Sequence, residues 1–155
     1  MNAPAQPVTG NCTTRAPRGC THFQLRQLMR QVGLIYDAEL AAVGLKTSQY
    51  SLLSCVLHLG PIRPGELAEA MKMDPSTLTR NLKPMMAGGW LQQAPGVDKR
   101  SRLISITDEG RALRTQAQRH WRKAQDQVND KLGVQRVVAL HDLVQESLSL
   151  LADAG

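Results

Sequence analysis

The sequence predicts a mainly α-helical fold with one small β-hairpin late in the chain. Three observations carry this expectation. Apolar residues recur at helical spacing through most of the chain. The period changes once, in two short β-like runs, "WLQQA" and "RLISI", separated by the charged stretch "PGVDKRS". Helix punctuation falls at the ends of the helical runs: Gly44, Asp74-Pro75, Gly88-Gly89, Thr107-Asp108-Glu109 and Gly133.

In order, residues 1–20 are rich in Pro, Thr, Gly and Arg without periodicity and predict a flexible or loosely docked arm. Thr21 and Gln24 have the spacing of a capping box. Leu25, Leu28, Met29, Val32, Ile35, Tyr36 and Leu40 then predict a long first helix, which Gly44 ends. A second helix starts at Thr47 or Ser48 and stops near Leu59. The third is short, with Pro64 in its first turn and Glu66 complementing the helix dipole. Asp74 caps a fourth, with Pro75 in its first position, and Gly88-Gly89 ends it. After the hairpin, Thr107 caps a long fifth helix, whose narrow apolar stripe includes Leu113, Ala117, Trp121 and Val128. Beyond Gly133 a sixth, strongly apolar helix closes the chain. Long terminal helices with narrow stripes cannot bury themselves on a small central body, which predicts a homodimer.

Composition narrows the function classes. The 155 residues carry a formal charge of +6 and a pI of about 9.7, which suits a polyanionic partner or an acidic surface. Aromatic content of 3% argues against a stacking platform for single strands. No apolar run approaches the ~18 residues of a membrane span. Residues 1–19 lack a signal-peptide core, so a cytoplasmic protein with no membrane partner is expected. Three cysteines make no disulfide framework. The absence of a Gly-rich phosphate loop or a nucleophile motif argues against an enzyme, and no cofactor is implied.

The fourth helix holds the chemistry. At 100° per residue, Leu78, Leu82, Met85 and Met86 fall on one side. Ser76, Arg80 and Lys83 lie opposite, flanked by Thr77 and Thr79. A solvated polar face would have a similar composition. Two neighbours favour a reading surface instead. A short helix precedes it across "KM", as in a helix-turn-helix, and a charged hairpin follows. Arg can bind guanine O6 and N7 together, and Ser and Thr can pair with donors or acceptors in the major groove. In the hairpin, Lys99, Arg100 and Arg102 supply cations for phosphates or the minor groove. Asp98 is placed to pair with Arg100 and hold the loop. Pro84 predicts a kink or a tightened last turn, limiting the reading part to about Ser76–Lys83.

With these pieces in order, the chain resembles the MarR family of winged helix-turn-helix regulators. The segments that carry the resemblance are "GLKTSQYSLL", "GPIRPGELAEAMKMDPSTLTRNLKPM" and "GGWLQQAPGVDKRSRLISITDEGRAL", of which Asp98-Lys99-Arg100 and "ISITDEG" are the most specific. It implies a single unit over residues 21–155, with a winged helix-turn-helix region at about 47–106. Dimerisation helices would lie at about 21–43 and 107–153. It implies a recognition helix at Asp74–Ala87 and a wing at Trp90–Ile106, with Arg100 at the minor groove and Asp98 as its organiser. The implied protein is a homodimeric repressor on double-stranded DNA, bound at an inverted-repeat operator and released by a small-molecule effector. Phenolic and other aromatic anions are common effectors in the family. Oxidants acting on cysteine are a second kind.

Cys20, just before the first helix, has the helix N-terminus and Arg15, Arg18 and Arg26 near it in sequence, features that favour a thiolate. Cys12 would be its resolving thiol. Cys55 reads as core, and Cys20 with His22 is too few ligands for a metal site. The basic side of the fifth helix (Arg111, Arg114, Arg119, Arg122, Lys123) reads as a solvated face. The alternatives to an effector-gated regulator are an oxidant-sensing repressor of the same fold, a sequence-tolerant architectural DNA-binding protein, or a winged-helix protein-interaction module.

Overall fold

Local capping chemistry sets where each element starts and stops, and the computed structural model describes it for residues 16–96 and 101–152. In chain order the elements are α1 (Thr21–Leu40), a 3-10 turn (Ala41–Val43), α2 (Thr47–Leu59), α3 (Pro64–Ala70), α4 (Pro75–Ala87), β1 (Leu91–Pro95), β2 (Arg102–Ile106), α5 (Asp108–Leu132) and α6 (Val134–Ala152). This is the mainly helical architecture with one hairpin that the periodicity predicts. The expected arm lies outside the described residues up to position 15, and so do Cys12, Asp98, Lys99 and Arg100.

Three helix ends use the same device, in which a left-handed residue lets its own N–H and that of the next residue reach back to orphan carbonyls. After α1, Gly44 (φ +73°) donates to Ala41 and Leu45 donates to Leu40. After α4, Gly89 (φ +72°) donates to Met86 and Trp90 donates to Met85. After α3 the left-handed residue is Lys72 (φ +51°), with Lys72 donating to Glu69 and Met73 to Ala68. Gly tolerates this conformation freely; a lysine held there is strained.

Two local expectations need correcting. Thr21 is the first helical residue of α1 and not its cap. Cys20 occupies the cap position in an extended conformation, its carbonyl accepting from Gln24 N–H, with no side-chain cap bond. The first strand begins at Leu91 and not at Trp90, because the Trp90 N–H is committed to the end of α4.

β1 and β2 pair antiparallel with Leu91 opposite Ile106 and Gln93 opposite Ile104. One further pairing was not foreseen. Ile62, between α2 and α3, exchanges two backbone hydrogen bonds with Ile104 (3.0 and 2.8 Å) and so adds a third rung beside β2. The core lies where α2, α3, α4 and this ladder meet. Leu53, Leu67, Leu78, Met85, Leu91 and Ile104 are almost fully buried there. Each such side chain contributes about 1.5–3 kcal/mol through removal from water. Met71, Met73 and Met86 fill its margin, as the sequence suggests, and so does Cys55, whose thiol pKa burial pushes up.

α5 runs from the base of the hairpin back along α1. Tyr36 donates to Gln125 (2.5 Å) and Gln127 donates to Glu39 (2.6 Å), joining the two helices. The other face of α1 and nearly all of α6 stay uncovered: Met29 is 74% exposed and Leu151 is also 74% exposed.

Candidate nucleic-acid interface

α4 is built to be held on one side and open on the other. Leu78, Leu82 and Met85 are buried against the core, while Ser76, Thr79, Arg80 and Lys83 are exposed and Thr77 is half-buried. Asp74 caps the helix: its Oδ1 accepts from the Ser76 N–H at 2.8 Å and from the Ser76 hydroxyl at 2.5 Å. These bonds favour the ionised carboxyl and hold its pKa below the ordinary aspartate value, the Ser76 hydroxyl being the largest cause.

The hydroxyls on this face are less free than the helical wheel suggests. Ser76 spends its proton on Asp74, and Thr79 donates to the Pro75 carbonyl at 2.9 Å. Thr77 accepts from the Arg80 guanidinium at 3.3 Å, which lays Arg80 along the helix. A hydroxyl has one proton to give, so Ser76 and Thr79 present mainly acceptor oxygens outward. Arg80 and Lys83 remain the exposed cations of α4 and enter no ion pair among the described residues.

Pro84 does not end the helix. α4 continues to Ala87, and the Pro84 carbonyl accepts from Gly88 N–H at 2.9 Å. The tightening comes later, at the Gly89 turn. Proline still leaves the Arg80 carbonyl without its helical donor.

The hairpin packs on α4 through β1, with Leu91 in the same core as Leu78, Leu82 and Met85. Arg102 is exposed at the start of β2, whereas Asp98, Lys99 and Arg100 lie in the stretch outside the described residues. Gly96 donates to the Ser101 carbonyl at 2.8 Å and closes the hairpin's described end.

Away from α4, Cys20 is exposed and free. His22, His58, His120 and His141 sit on four different helices, and no three metal-ligating side chains converge among the described residues. Arg114 does not belong to the solvated face of α5. It is half-buried, donates to Ser54 at 3.2 Å and Gln118 at 3.0 Å, and lies 5.7 Å above the Tyr50 ring. Tyr50 stacks on Trp121, which also meets Tyr36, so three aromatics and a cation gather where α1, α2 and α5 join. Burial raises the Tyr36 pKa. Only Arg114's place on the wheel, on the same side as Trp121 and Leu132, signals this cluster in the sequence. Lys72 and the Thr107 contacts described below also escape sequence reasoning.

The MarR family profile matches residues 45–101, from just before α2 to the hairpin. The uncharacterised HTH-type transcriptional regulator YwoH of Bacillus subtilis is 33% identical over 86 residues, covering 56% of this chain and 63% of YwoH's own length. The multiple antibiotic resistance protein MarR of Salmonella typhimurium is 29% identical over 113 residues, covering 70% of this chain and 77% of that protein. Among solved structures, the transcriptional regulator MosR of M. tuberculosis in complex with DNA superposes with a TM-score of 0.68 at 31% identity, over 84% of this chain and 98% of that one. With the profile matching the region from α2 to the hairpin and a solved regulator at 31% identity superposing over 84% of the chain, the chain belongs to the MarR family.

Proposed function

We propose that this protein is a homodimeric transcriptional regulator that binds double-stranded DNA sequence-specifically and represses from an inverted-repeat operator. The carrying observation is α4, anchored by Leu78, Leu82 and Met85 and open on the face that bears Arg80 and Lys83. Arg80 reads base edges; Lys83 and Arg102, with Lys99 and Arg100 of the wing, meet phosphates and the minor groove. Asp98 organises the wing. Ser76, Thr77 and Thr79 take donors from the DNA or from bridging water. Support for DNA as the partner comes from MosR, solved in complex with DNA. Support for the dimer comes from the uncovered apolar side chains of α1 and α6, among them Phe23, Met29, Leu143 and Leu148.

A small-molecule effector releases the DNA. Aromatic anions are the first class to test, because Tyr36, Tyr50, Trp121 and Arg114 gather where the terminal helices meet α2.

The deciding experiment is competition binding at fixed salt. The protein should prefer an inverted repeat from its own promoter over random duplex by about 10³ or more. Equal affinity for both would leave an architectural protein. No binding to any duplex at low salt would leave a protein-interaction module.

A further inference from the structure

The residue that begins α5 also holds the end of α4. The Thr107 hydroxyl accepts from Gly110 N–H at 3.0 Å, which caps α5. The same hydroxyl donates to the Gly89 carbonyl at 2.6 Å and lies 3.1 Å from the Trp90 carbonyl. The Thr107 N–H donates to the Trp90 carbonyl at 3.1 Å, and Trp90 N–H in turn donates to Met85 in the last turn of α4. Gly110 is buried so closely on the Trp90 carbonyl that a Cβ there would overlap it. An unbroken run of hydrogen bonds therefore leads from the first turn of the long α5 to the last turn of α4.

We propose that Thr107 is a positioning residue for DNA reading: its single hydroxyl fixes the C-terminal end of α4 relative to α5. This rests on α4 being the DNA-reading helix. A hydroxyl has one proton, so donation to Gly89 and acceptance from Gly110 are separate functions that substitution can divide. Thr107→Ser keeps both. Thr107→Asp keeps a good cap acceptor for Gly110 but has no proton for Gly89.

Two measurements on the whole protein test this. The first is hydrogen exchange at the Gly89 and Trp90 amides without DNA. Exchange should rise in Thr107→Asp and match the parent in Thr107→Ser; unchanged exchange in Thr107→Asp overturns the joint. The second is the ratio of operator to random-duplex affinity. It should fall roughly 3- to 10-fold in Thr107→Asp, the size of a typical long-range coupling, and stay intact in Thr107→Ser. An unchanged ratio, or an equal fall for both duplexes, overturns the positioning role. If the parent itself shows no operator preference, the DNA-reading assignment of α4 fails, and the exchange result still decides whether the joint exists.

Discussion

Asp37, near the end of α1, caps α2 from a distance: its Oδ1 accepts from the Thr47 N–H at 2.7 Å and the Thr47 hydroxyl at 2.6 Å. The α2 cap position itself is held by Lys46, whose side chain cannot accept a hydrogen bond, so the acceptor comes from another helix. Asp37→Ala should destabilise the protein by about 1 kcal/mol, the usual loss for a helix cap, while Asp37→Asn should retain most of that. Urea unfolding decides it: a lower midpoint at constant slope is expected in Asp37→Ala, and an unchanged midpoint would mean the bonds add nothing.

Lys72→Gly should be stabilising. The left-handed backbone at φ +51° costs a side-chain-bearing residue roughly 1–2 kcal/mol, partly offset by the greater freedom of an unfolded glycine. A net gain of about 0.5–1 kcal/mol is expected in the same assay. A loss would show that the lysine side chain contributes more than its backbone costs.

Acid should loosen α4 at its first turn. The Ser76 bonds depress the Asp74 pKa in the folded state, so the unfolded chain binds this proton more tightly. The contribution is fully present above the unfolded value of about 4 and is lost as pH falls through the lower folded value. Thermal melts from pH 6 to pH 2 should show a shallower acid decline in Asp74→Asn than in the parent. Parallel curves would exclude Asp74 as a source of acid sensitivity.

Arg80→Ala and Arg102→Ala should fail differently on DNA. Loss of Arg80 should cost about 1–3 kcal/mol on the operator and relax preference at particular bases. Loss of Arg102 should weaken every sequence alike and make the salt slope shallower by about one. Identical behaviour of the two would refute the division between base reading and phosphate contact.

Leu148→Glu tests the proposed dimer. Leu148 is 56% exposed on α6, on a surface that one copy leaves uncovered. If α6 carries the proposed interface, a glutamate there should raise the dimer dissociation constant about tenfold or more, visible by analytical ultracentrifugation, and lower DNA affinity with it. An unaltered association state would move the interface elsewhere.

Much of the fold was legible because its signals are local. Asp74, Gly44 and Gly133 act within a few residues of themselves, as does the Thr107 cap on Gly110, and α4's two faces follow from 3.6-residue spacing. What escaped depends on pairings distant in sequence. Nothing in "GPIRP" says that Ile62 will pair with Ile104, and nothing near Asp37 says that it will serve α2. Arg114 looked solvated because the adjacent cations of α5 are. On α4, Ser76 and Thr79 are exposed as the wheel implies, but the wheel could not show that their protons are already used. Of the wing, Arg102 is exposed at the start of β2, while Asp98, Lys99 and Arg100, read from the charged loop, lie outside the described residues.

The Ile62–Ile104 pairing bears on how such a protein is re-engineered. Because one backbone ladder ties the α2–α3 connection to the hairpin, α3, α4 and both strands form a closed cassette. Swapping only α4 into a homologue would seat it on a foreign ladder. Transplanting residues 62–107 carries the helix, the turn at Lys72, the hairpin and the Thr107 joint together. If α4 reads DNA as proposed, that block is the natural portable unit for moving a sequence preference from one scaffold to another.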